Sequence, residues 1–344
     1  MSKTRNILFY GGSITCGAGA SEYGRSWARI VFDRLNVLLG GSNRMINASI
    51  SGTGSFLGAM RLKEHVLGYA PDIAFIEFAS NDLDFSEEEP DANVGTIESI
   101  VSGLVSANPE VSVIFVYTTV GGRNASSVYH TVAQNFGIPE IDLQTRVMEE
   151  VNSGRRSWDD LFVDVVHPGD AGHRFYADLV TDAVTSDMKR FLSPVRMAPG
   201  RAKIPLNDPR IVHAAPGILD TCDGFRLQPV EDYLESKHMP ELTVRNAFCS
   251  DGPGSRMSFR FEGRHFGLYH RFSINGGNWI LSIDEIDIAE YSTYFQYSEN
   301  FKGQGEFLCQ CRVCGLDPGE HTAEVRALEG PHGNDIAIAG FLIG

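Results

Sequence analysis

Two short segments of the sequence carry side chains that could perform nucleophilic catalysis together. The first is Gly11-Gly12-Ser13, which follows a run of apolar residues predicted to form the first strand. Glycines let the chain turn sharply after a strand, so Ser13 could present its hydroxyl at the carboxyl edge of a sheet, with its own N–H available as a donor. The second segment is Asp164-Val165-Val166-His167-Pro168.

The spacing within the second segment favours a paired acid and base. Three residues of separation on a turn would let Asp164 accept a hydrogen bond from Nδ1–H of His167, which leaves Nε2 free to take a proton from a serine. Pro168 would then start the next helix. We therefore predict Ser13 as nucleophile, His167 as general base and Asp164 as the acid that orients it. We expect no metal or organic cofactor, because this chemistry requires none.

Each of these residues also has a purely structural interpretation. A serine in a glycine-rich loop can cap a helix or bind phosphate, although the G-x-x-x-x-G-K-[ST] spacing of a phosphate loop does not occur here. An Asp and a His three residues apart can be an exposed pair or part of a helix cap. His173, with Asp170 three residues before it, is an alternative base, but we expect the helix that Pro168 starts to direct it away from the cleft.

The pattern of apolar runs indicates the elements that would position these residues. Up to about residue 193, short β-branched and aromatic runs alternate with longer amphipathic stretches, which is typical of βα units on a parallel sheet. The predicted strands are 6–10, 44–48, 72–78, 111–117 and 138–143, and the predicted helices are 27–39, 57–68, 95–107, 126–136 and 171–192. The acidic run 87–91 is predicted to be a solvated loop. We therefore predict that residues 1–195 form an α/β domain with three layers (α/β/α), in which the middle layer is a doubly wound parallel sheet.

The pattern changes after this domain. Residues 196–210 are rich in proline and lack periodicity, which predicts an extended linker. Residues 211–344 contain short alternating runs separated by turn residues, which predicts an antiparallel β-sandwich, jelly-roll-like, as a second domain. Its predicted strands are 258–262, 266–269, 279–283, 305–313, 321–327 and 336–343. We expect Tyr291, Tyr294 and Tyr297 to be exposed, and most other aromatic residues of this domain to lie in its core.

The first 195 residues resemble the SGNH, or GDSL-like, hydrolases, because the four short blocks of that family occur here in order. The blocks are Gly11-Gly12-Ser13-Ile14, Asn47-Ala48-Ser49-Ile50-Ser51-Gly52, Ala79-Ser80-Asn81-Asp82 and Asp164-Val165-Val166-His167-Pro168. The resemblance implies the same nucleophile, base and acid. It also implies that the Gly52 N–H and the Asn81 side-chain amide join the Ser13 N–H as donors of an oxyanion hole.

Two positions depart from the family's usual blocks. Gly12 stands where Asp is usual, and Ala79 stands where Gly is usual. Neither change removes an atom that the chemistry needs, so both bear on the positioning of the loops and on the rate rather than on the class of reaction.

The resemblance implies a serine esterase that hydrolyses short acyl (O-acetyl) esters on a carbohydrate, since SGNH enzymes with an attached β-sandwich are often carbohydrate esterases. The turn Gly315–Thr322 resembles one found in carbohydrate-binding sandwiches. The expected partner is an acetylated sugar or polysaccharide. Two alternatives stay open: an O-acetyltransferase that modifies a polysaccharide through the same triad, and a catalytically dead carbohydrate-binding protein.

Composition argues against other classes of partner. The 344 residues carry a net charge of −15, which repels nucleic acids and anionic lipid surfaces. No apolar run approaches the ~20 residues of a membrane span, and the N-terminal residues lack the pattern of a signal peptide. We therefore expect a cytoplasmic protein with no nucleic-acid or membrane partner.

The six cysteines do not suggest a disulfide framework in a chain of this length. Cys309, Cys311 and Cys314 could bind a soft metal, but no fourth ligand lies at a standard spacing. Phe307, Cys309, Cys311 and Val313 alternate as in a strand, so we expect thiols packed as small hydrophobic groups and no metal site.

Overall fold

Five short runs rich in β-branched and aromatic residues form a parallel sheet in the computed structural model, which describes residues 4–230, 244–295, 307–309 and 311–344. The strands are β1 (Asn6–Gly11), β2 (Arg44–Asn47), β3 (Ile73–Glu77), β4 (Ser112–Tyr117) and β5 (Glu140–Asp142), in the order β2-β1-β3-β4-β5. Strands β1, β3 and β4 are buried along almost their whole length, as expected of a parallel sheet covered on both faces. The order reverses between β1 and β3, and sheets of this kind hold their sites beyond the strand ends at such a reversal.

Helices cover both faces of this sheet. They are α1 (Ser13–Cys16), α2 (Trp27–Leu38), α3 (Ser55–His65), α4 (Leu83–Glu88), α5 (Pro90–Ala107), α6 (Ser126–Phe136), α7 (Leu143–Asn152), α8 (Asp170–Ser186) and α9 (Met188–Phe191). On one face α2 packs against α8, and Trp27 lies edge-on to Phe9 of β1. On the other face α3 packs against α5, and the Tyr10 hydroxyl donates to the backbone of Gly58 in α3. The predicted three-layer domain is confirmed.

Three local features of this domain differ from the prediction. The acidic run 87–91 is not a loop, because α4 extends to Glu88 and α5 begins at Pro90. Proline suits the first position of a helix, and Asp91 in the first turn complements the helix dipole. The helix α7 was not predicted at all, and the predicted helix 171–192 is divided between α8 and α9 at Asp187.

The chain divides into two compact units, Met1–Pro205 and Leu206–Gly344. Within the predicted linker, residues 196–205 lie on the first unit without forming a helix or strand. The Glu98 carboxylate accepts hydrogen bonds from the N–H groups of Arg201 and Ala202, and Lys203 pairs with Asp91. No helix in the described ranges is both long and apolar enough to cross a membrane.

The second unit contains two antiparallel sheets. Its strands are β6 (Arg210–His213), β7 (Thr221–Asp223), β8 (Phe225–Pro229), β9 (Asn246–Ser250), β10 (Arg256–Glu262), β11 (His265–Arg271), β12 (Asn278–Ile283), β13 (Ile286–Ser292), β14 (Phe307–Leu308), β15 (Arg312–Cys314), β16 (Glu320–Leu328) and β17 (Ala337–Ile343). One sheet has the order β13-β12-β16-β10-β7; the other has β14-β11-β17-β9-β8, with β15 on β11 and β6 on β17. Phe259 of the first sheet stacks on Phe341 of the second with ring centroids 4.0 Å apart. The predicted antiparallel β-sandwich is confirmed.

The cysteine segment and the tyrosines differ from expectation in detail. The predicted strand 305–313 is split into β14 and β15, both on β11, and residues 305, 306 and 310 lie outside the described residues. Tyr291 is half-buried and stacks on Trp279, and Tyr294 is half-buried and stacks on His332. Their predicted exposure was therefore wrong, and Tyr297 lies outside the described residues.

Candidate active site

Ser13 is the first residue of α1, directly after β1 at the carboxyl edge of the sheet. Its side chain is nearly covered, with the residue 7% exposed. The tight turn depends on the two glycines before it. A Cβ on Gly11 would overlap the backbone oxygen of Glu77, and the Gly12 N–H donates to that same oxygen at 3.3 Å.

A chain of hydrogen bonds connects Ser13 to the turn before α8. The Ser13 Oγ lies 2.9 Å from His167 Nε2, and His167 Nδ1 lies 2.8 Å from Asp164 Oδ2. A carboxylate facing Nδ1 selects the tautomer with its proton there, so Nε2 accepts from the serine hydroxyl. The structure thus brings together the three residues that the sequence singled out, although they lie as far as 154 positions apart.

The local turn holds the Asp164 carboxylate in place. Its Oδ1 accepts the backbone N–H groups of Val166 at 2.7 Å and His167 at 2.6 Å, and the Trp158 indole N–H donates to the Asp164 carbonyl at 2.9 Å. Partial burial alone would raise the pKa of this carboxyl. The hydrogen bonds from His167 and Val166 outweigh burial, so its pKa lies below the ordinary value and it stays ionised.

His173 does not face Ser13. It is fully buried on α8, where its Nδ1 accepts the Trp27 N–H at 3.3 Å and its Nε2 donates to the Ala18 carbonyl at 3.0 Å. Burial lowers the pKa of His173 to about 4, so the imidazole is neutral at pH 7. As expected, α8 directs this histidine away from Ser13, and it anchors the loop between α1 and α2.

Gly52 and Asn81 follow β2 and β3, so they share the edge of the sheet that carries Ser13. Gly52 is exposed and has a φ of +68°, a conformation that favours glycine. The Asn81 side chain lies against Gly12, since a Cβ there would overlap its amide oxygen. The departure at Gly12 thus leaves room for the Asn81 amide beside Ser13. Ala79, the other departure, is buried and does not have a positive φ.

Further contacts fix these loops to the sheet. The Asn47 side chain donates to the Thr15 carbonyl of α1 at 3.0 Å. The buried Asp82 accepts the N–H of Ser55, the amide of Asn93 and the hydroxyl of Tyr129 at 2.7–3.1 Å. Burial raises the pKa of Asp82, and these donors offset part of that rise.

The sequence did not indicate the contacts of Asp82 with the loops or the presence of Glu77 beneath the turn that carries Ser13. The signal for Glu77 was a single acid at the end of an otherwise apolar strand, Ile-Ala-Phe-Ile-Glu. In the described part of the chain, no cluster of three or more His, Cys, Asp or Glu side chains could hold a metal ion.

Comparison with known proteins gives two findings. Residues 9–175 match the model of the GDSL-like Lipase/Acylhydrolase family. A solved two-domain esterase (CEX) active on acetylated mannans, co-crystallized with mannopentaose, matches 99% of this chain and 91% of its own, with a TM-score of 0.82 and 21% sequence identity. A second structure of a two-domain esterase (CEX) active on acetylated mannans has the same coverage and identity, with a TM-score of 0.81. At this identity the match shows a common two-domain fold. No curated protein sequence matches the chain.

Proposed function

Because residues 9–175 match the model of the GDSL-like Lipase/Acylhydrolase family, we propose that this protein is a serine esterase that removes O-acetyl groups from a carbohydrate through an acyl-enzyme. The observation that carries the proposal is the chain of hydrogen bonds from the Ser13 hydroxyl through His167 to the Asp164 carboxylate. A serine hydroxyl is a weak nucleophile until an adjacent base takes its proton. In this set of hydrogen bonds, His167 is that base and Asp164 is the acid that orients it.

In the proposed acylation step, Ser13 Oγ attacks the acetyl carbonyl carbon while its proton passes to His167 Nε2. The ionised Asp164 stabilises the imidazolium that forms. Negative charge develops on the carbonyl oxygen, which accepts hydrogen bonds from the N–H groups of Ser13 and Gly52 and from the Asn81 amide. The tetrahedral intermediate then collapses, the sugar oxygen leaves with the proton from His167, and the acetyl group remains on Ser13.

Deacylation uses the same groups in reverse roles. His167 takes a proton from a water molecule whose oxygen attacks the acetyl carbon, and the same three donors stabilise the second oxyanion. The intermediate collapses to acetate, and the proton on His167 returns to Ser13 Oγ. Losing one oxyanion donor typically costs ~10²–10³ in turnover, which sets the expected effect of removing the Asn81 amide.

Two observations support an acetylated polysaccharide as the substrate. The chain shares its fold over 99% of its length with an esterase active on acetylated mannans. The base and acid are open to solvent, since the side chains of His167 and Asp164 are 28% and 49% exposed, so a polymer can approach without entering a closed cavity. The net charge of −15 favours a neutral polysaccharide over an anionic one.

The test compares wild type with Ser13→Ala on chromogenic acetyl and octanoyl esters, and then on acetylated mannan with release of acetate as the readout. Ser153→Ala, at an exposed serine that ends α7, is the matched control. We expect Ser13→Ala to lower kcat at least ~10³-fold, the control to match wild type, and the acetyl ester to be preferred.

Each outcome decides between functions. Acetyl release that persists in Ser13→Ala would contradict the proposal. Acetyl transfer to an added oligosaccharide in preference to water would make the protein a transferase. The absence of both reactions in wild type would leave a carbohydrate-binding protein.

A further inference from the structure

A buried glutamate outside the proposed triad lies beneath the nucleophile turn. Glu77, the last residue of β3, is 0% exposed. Its Oε2 lies 2.6 Å from the Thr15 hydroxyl, and its Oε1 lies 2.5 Å from the Thr118 hydroxyl and 3.0 Å from the Ser80 hydroxyl. Within the described ranges, no Lys, Arg or His side chain forms an ion pair with it. A buried carboxylate without a cation is costly, so its protonation state requires explanation.

The hydroxyl groups around Glu77 also contact one another. Ser80 Oγ and Thr118 Oγ1 are 2.7 Å apart, so these two oxygens and Glu77 Oε1 form a closed ring of three contacts. The contact between Thr15 and Oε2 is a fourth. Each contact is short enough for a hydrogen bond, and each hydrogen bond needs one proton between its two oxygens.

Counting protons distinguishes the two states of Glu77. The three hydroxyl groups supply three protons for four contacts. With an ionised Glu77, one pair of oxygens would therefore face each other without a proton. A protonated Glu77 supplies the fourth proton. Its O–H then donates to the Thr118 hydroxyl, the Thr118 hydroxyl donates to the Ser80 hydroxyl, and the Ser80 hydroxyl donates back to Glu77 Oε1. The Thr15 hydroxyl donates to Glu77 Oε2. All four contacts are then hydrogen bonds.

This ring connects the two loops that the proposed reaction needs. Thr15 lies two residues after Ser13, Ser80 directly precedes Asn81, and the Glu77 carbonyl accepts the Gly12 N–H. We propose that Glu77 is a positioning residue, held as a neutral carboxylic acid, whose hydrogen bonds keep the Ser13 turn and the Asn81 loop in register. Its effect on catalysis rests on the proposed function, whereas its protonation state does not.

Neutrality also suits the electrostatics of the site. An anion buried beneath the turn would oppose the negative charge that develops on the substrate oxygen, because charges interact strongly where water is excluded. A neutral acid provides the same hydrogen bonds without that opposing charge. Burial raises the pKa of Glu77, and the surrounding hydroxyl donors and the Gly12 N–H offset only part of the rise.

Infrared spectroscopy tests the protonation state directly. The difference spectrum between wild type and Glu77→Gln at pH 7 isolates this one carboxyl from the other acids of the chain. We expect the C=O stretch of a protonated carboxylic acid, which shifts in heavy water, to be present in wild type and lost in the variant. A difference spectrum that contains only carboxylate bands would overturn the proposal.

Kinetics test the positioning role. Glu77→Gln keeps an oxygen that can accept from Thr15 and an amide that can donate to Ser80 and Thr118, so we expect kcat to fall by no more than about threefold. Glu77→Leu and Thr118→Val break the ring and should lower kcat by roughly tenfold or more, with KM nearly unchanged.

Thr96→Val is the matched control for Thr118→Val, because Thr96 is equally buried and, among the residues that the structure describes, its hydroxyl bonds only within α5, to the Ala92 carbonyl. Equal kcat losses in the two Thr→Val variants, or an equal loss in Glu77→Gln and Glu77→Leu, would contradict a positioning role. The neutral Glu77 and the proposed esterase function can be contradicted independently of each other. The infrared band is measured without substrate, and Ser13-dependent hydrolysis is measured without any change at Glu77.

Discussion

The sequence contains the same four-residue pattern twice within ten positions, Asp164-x-x-His167 and Asp170-x-x-His173, and the two copies do different things. In the first, the acid and the imidazole lie 2.8 Å apart and the histidine faces Ser13. In the second, Asp170 accepts hydrogen bonds from Ser21 and pairs with Arg25, while His173 binds only backbone groups.

The difference follows from the backbone that carries each pair. Residues 164–167 form a turn whose N–H groups fold back onto the Asp164 carboxylate, so acid and imidazole meet on one side. Residues 170–173 are the first turn of α8, where the half-buried Asp170 binds the exposed Ser21 and Arg25 and His173 lies in the core. The same spacing therefore brings the acid and the imidazole together in the turn and separates them in the helix.

The largest expected effect separates the two histidines. His167→Ala should lower kcat on an acetyl ester at least ~10³-fold, because it removes the base that we propose activates Ser13. His173→Gln should change kcat by less than about threefold, since it keeps a donor for the Ala18 carbonyl and contacts no reacting group. Circular dichroism checks that both variants are folded. A larger loss of kcat in His173→Gln than in His167→Ala would reverse the assignment of the base.

Substitution of the two acids, Asp164 and Asp170, should give kcat values that differ by a smaller factor than those of the two histidine variants. Asp164→Asn should lower kcat by roughly 10²-fold, because an amide nitrogen facing Nδ1 favours the wrong tautomer of His167. Asp170→Asn should stay within about twofold of wild type, because Asp170 contacts only exposed groups. Steady-state kinetics of the two variants measured side by side make the comparison. Equal losses would show that the turn around Asp164 does not orient the base.

The smallest expected effect is on stability. The pKa of His173 is about 4 in the folded protein and 6.5 when unperturbed, so the unfolded chain binds a proton more readily between these values. The free energy of unfolding should therefore fall as the pH drops from 6.5 to about 4, by at most ~3 kcal/mol from this group.

Denaturant unfolding of wild type and His173→Gln between pH 6.5 and about 4 measures that contribution. It is the difference between the two proteins in the slope of the free energy of unfolding against pH. Asp170 and His167 are the titratable neighbours that act on the pKa of His173, and both remain in the variant. His270 of the second unit, whose pKa burial also lowers to about 4, is likewise unchanged and cancels in the difference. Parallel slopes would mean that His173 is not neutralised by burial.

Much of the fold followed from periodicity, and the misses have local causes. Strands β1, β3 and β4 were predicted closely because strands buried on both faces are continuous apolar runs. Helix α7 was missed because only Leu143 and Val147 of its residues are buried and most of its other residues are polar. The acidic run was misassigned because charge suggested a loop, whereas Pro90 marked the start of α5.

The sequence by itself determined two local features and their positions along the chain. These are a glycine turn with Ser13 after the first strand, and a short Asp164–His167 segment before the last long helix. Residue types and i,i+3 spacing are local properties, and a turn can be deduced from them. Only the tertiary structure decided which histidine meets the serine, why Gly12 must lack a side chain beside Asn81, and that Glu77 closes a ring with two hydroxyls. Those outcomes depend on which strands lie side by side, because parallel β1, β3 and β4 bring their ends together from positions about 40–106 residues apart.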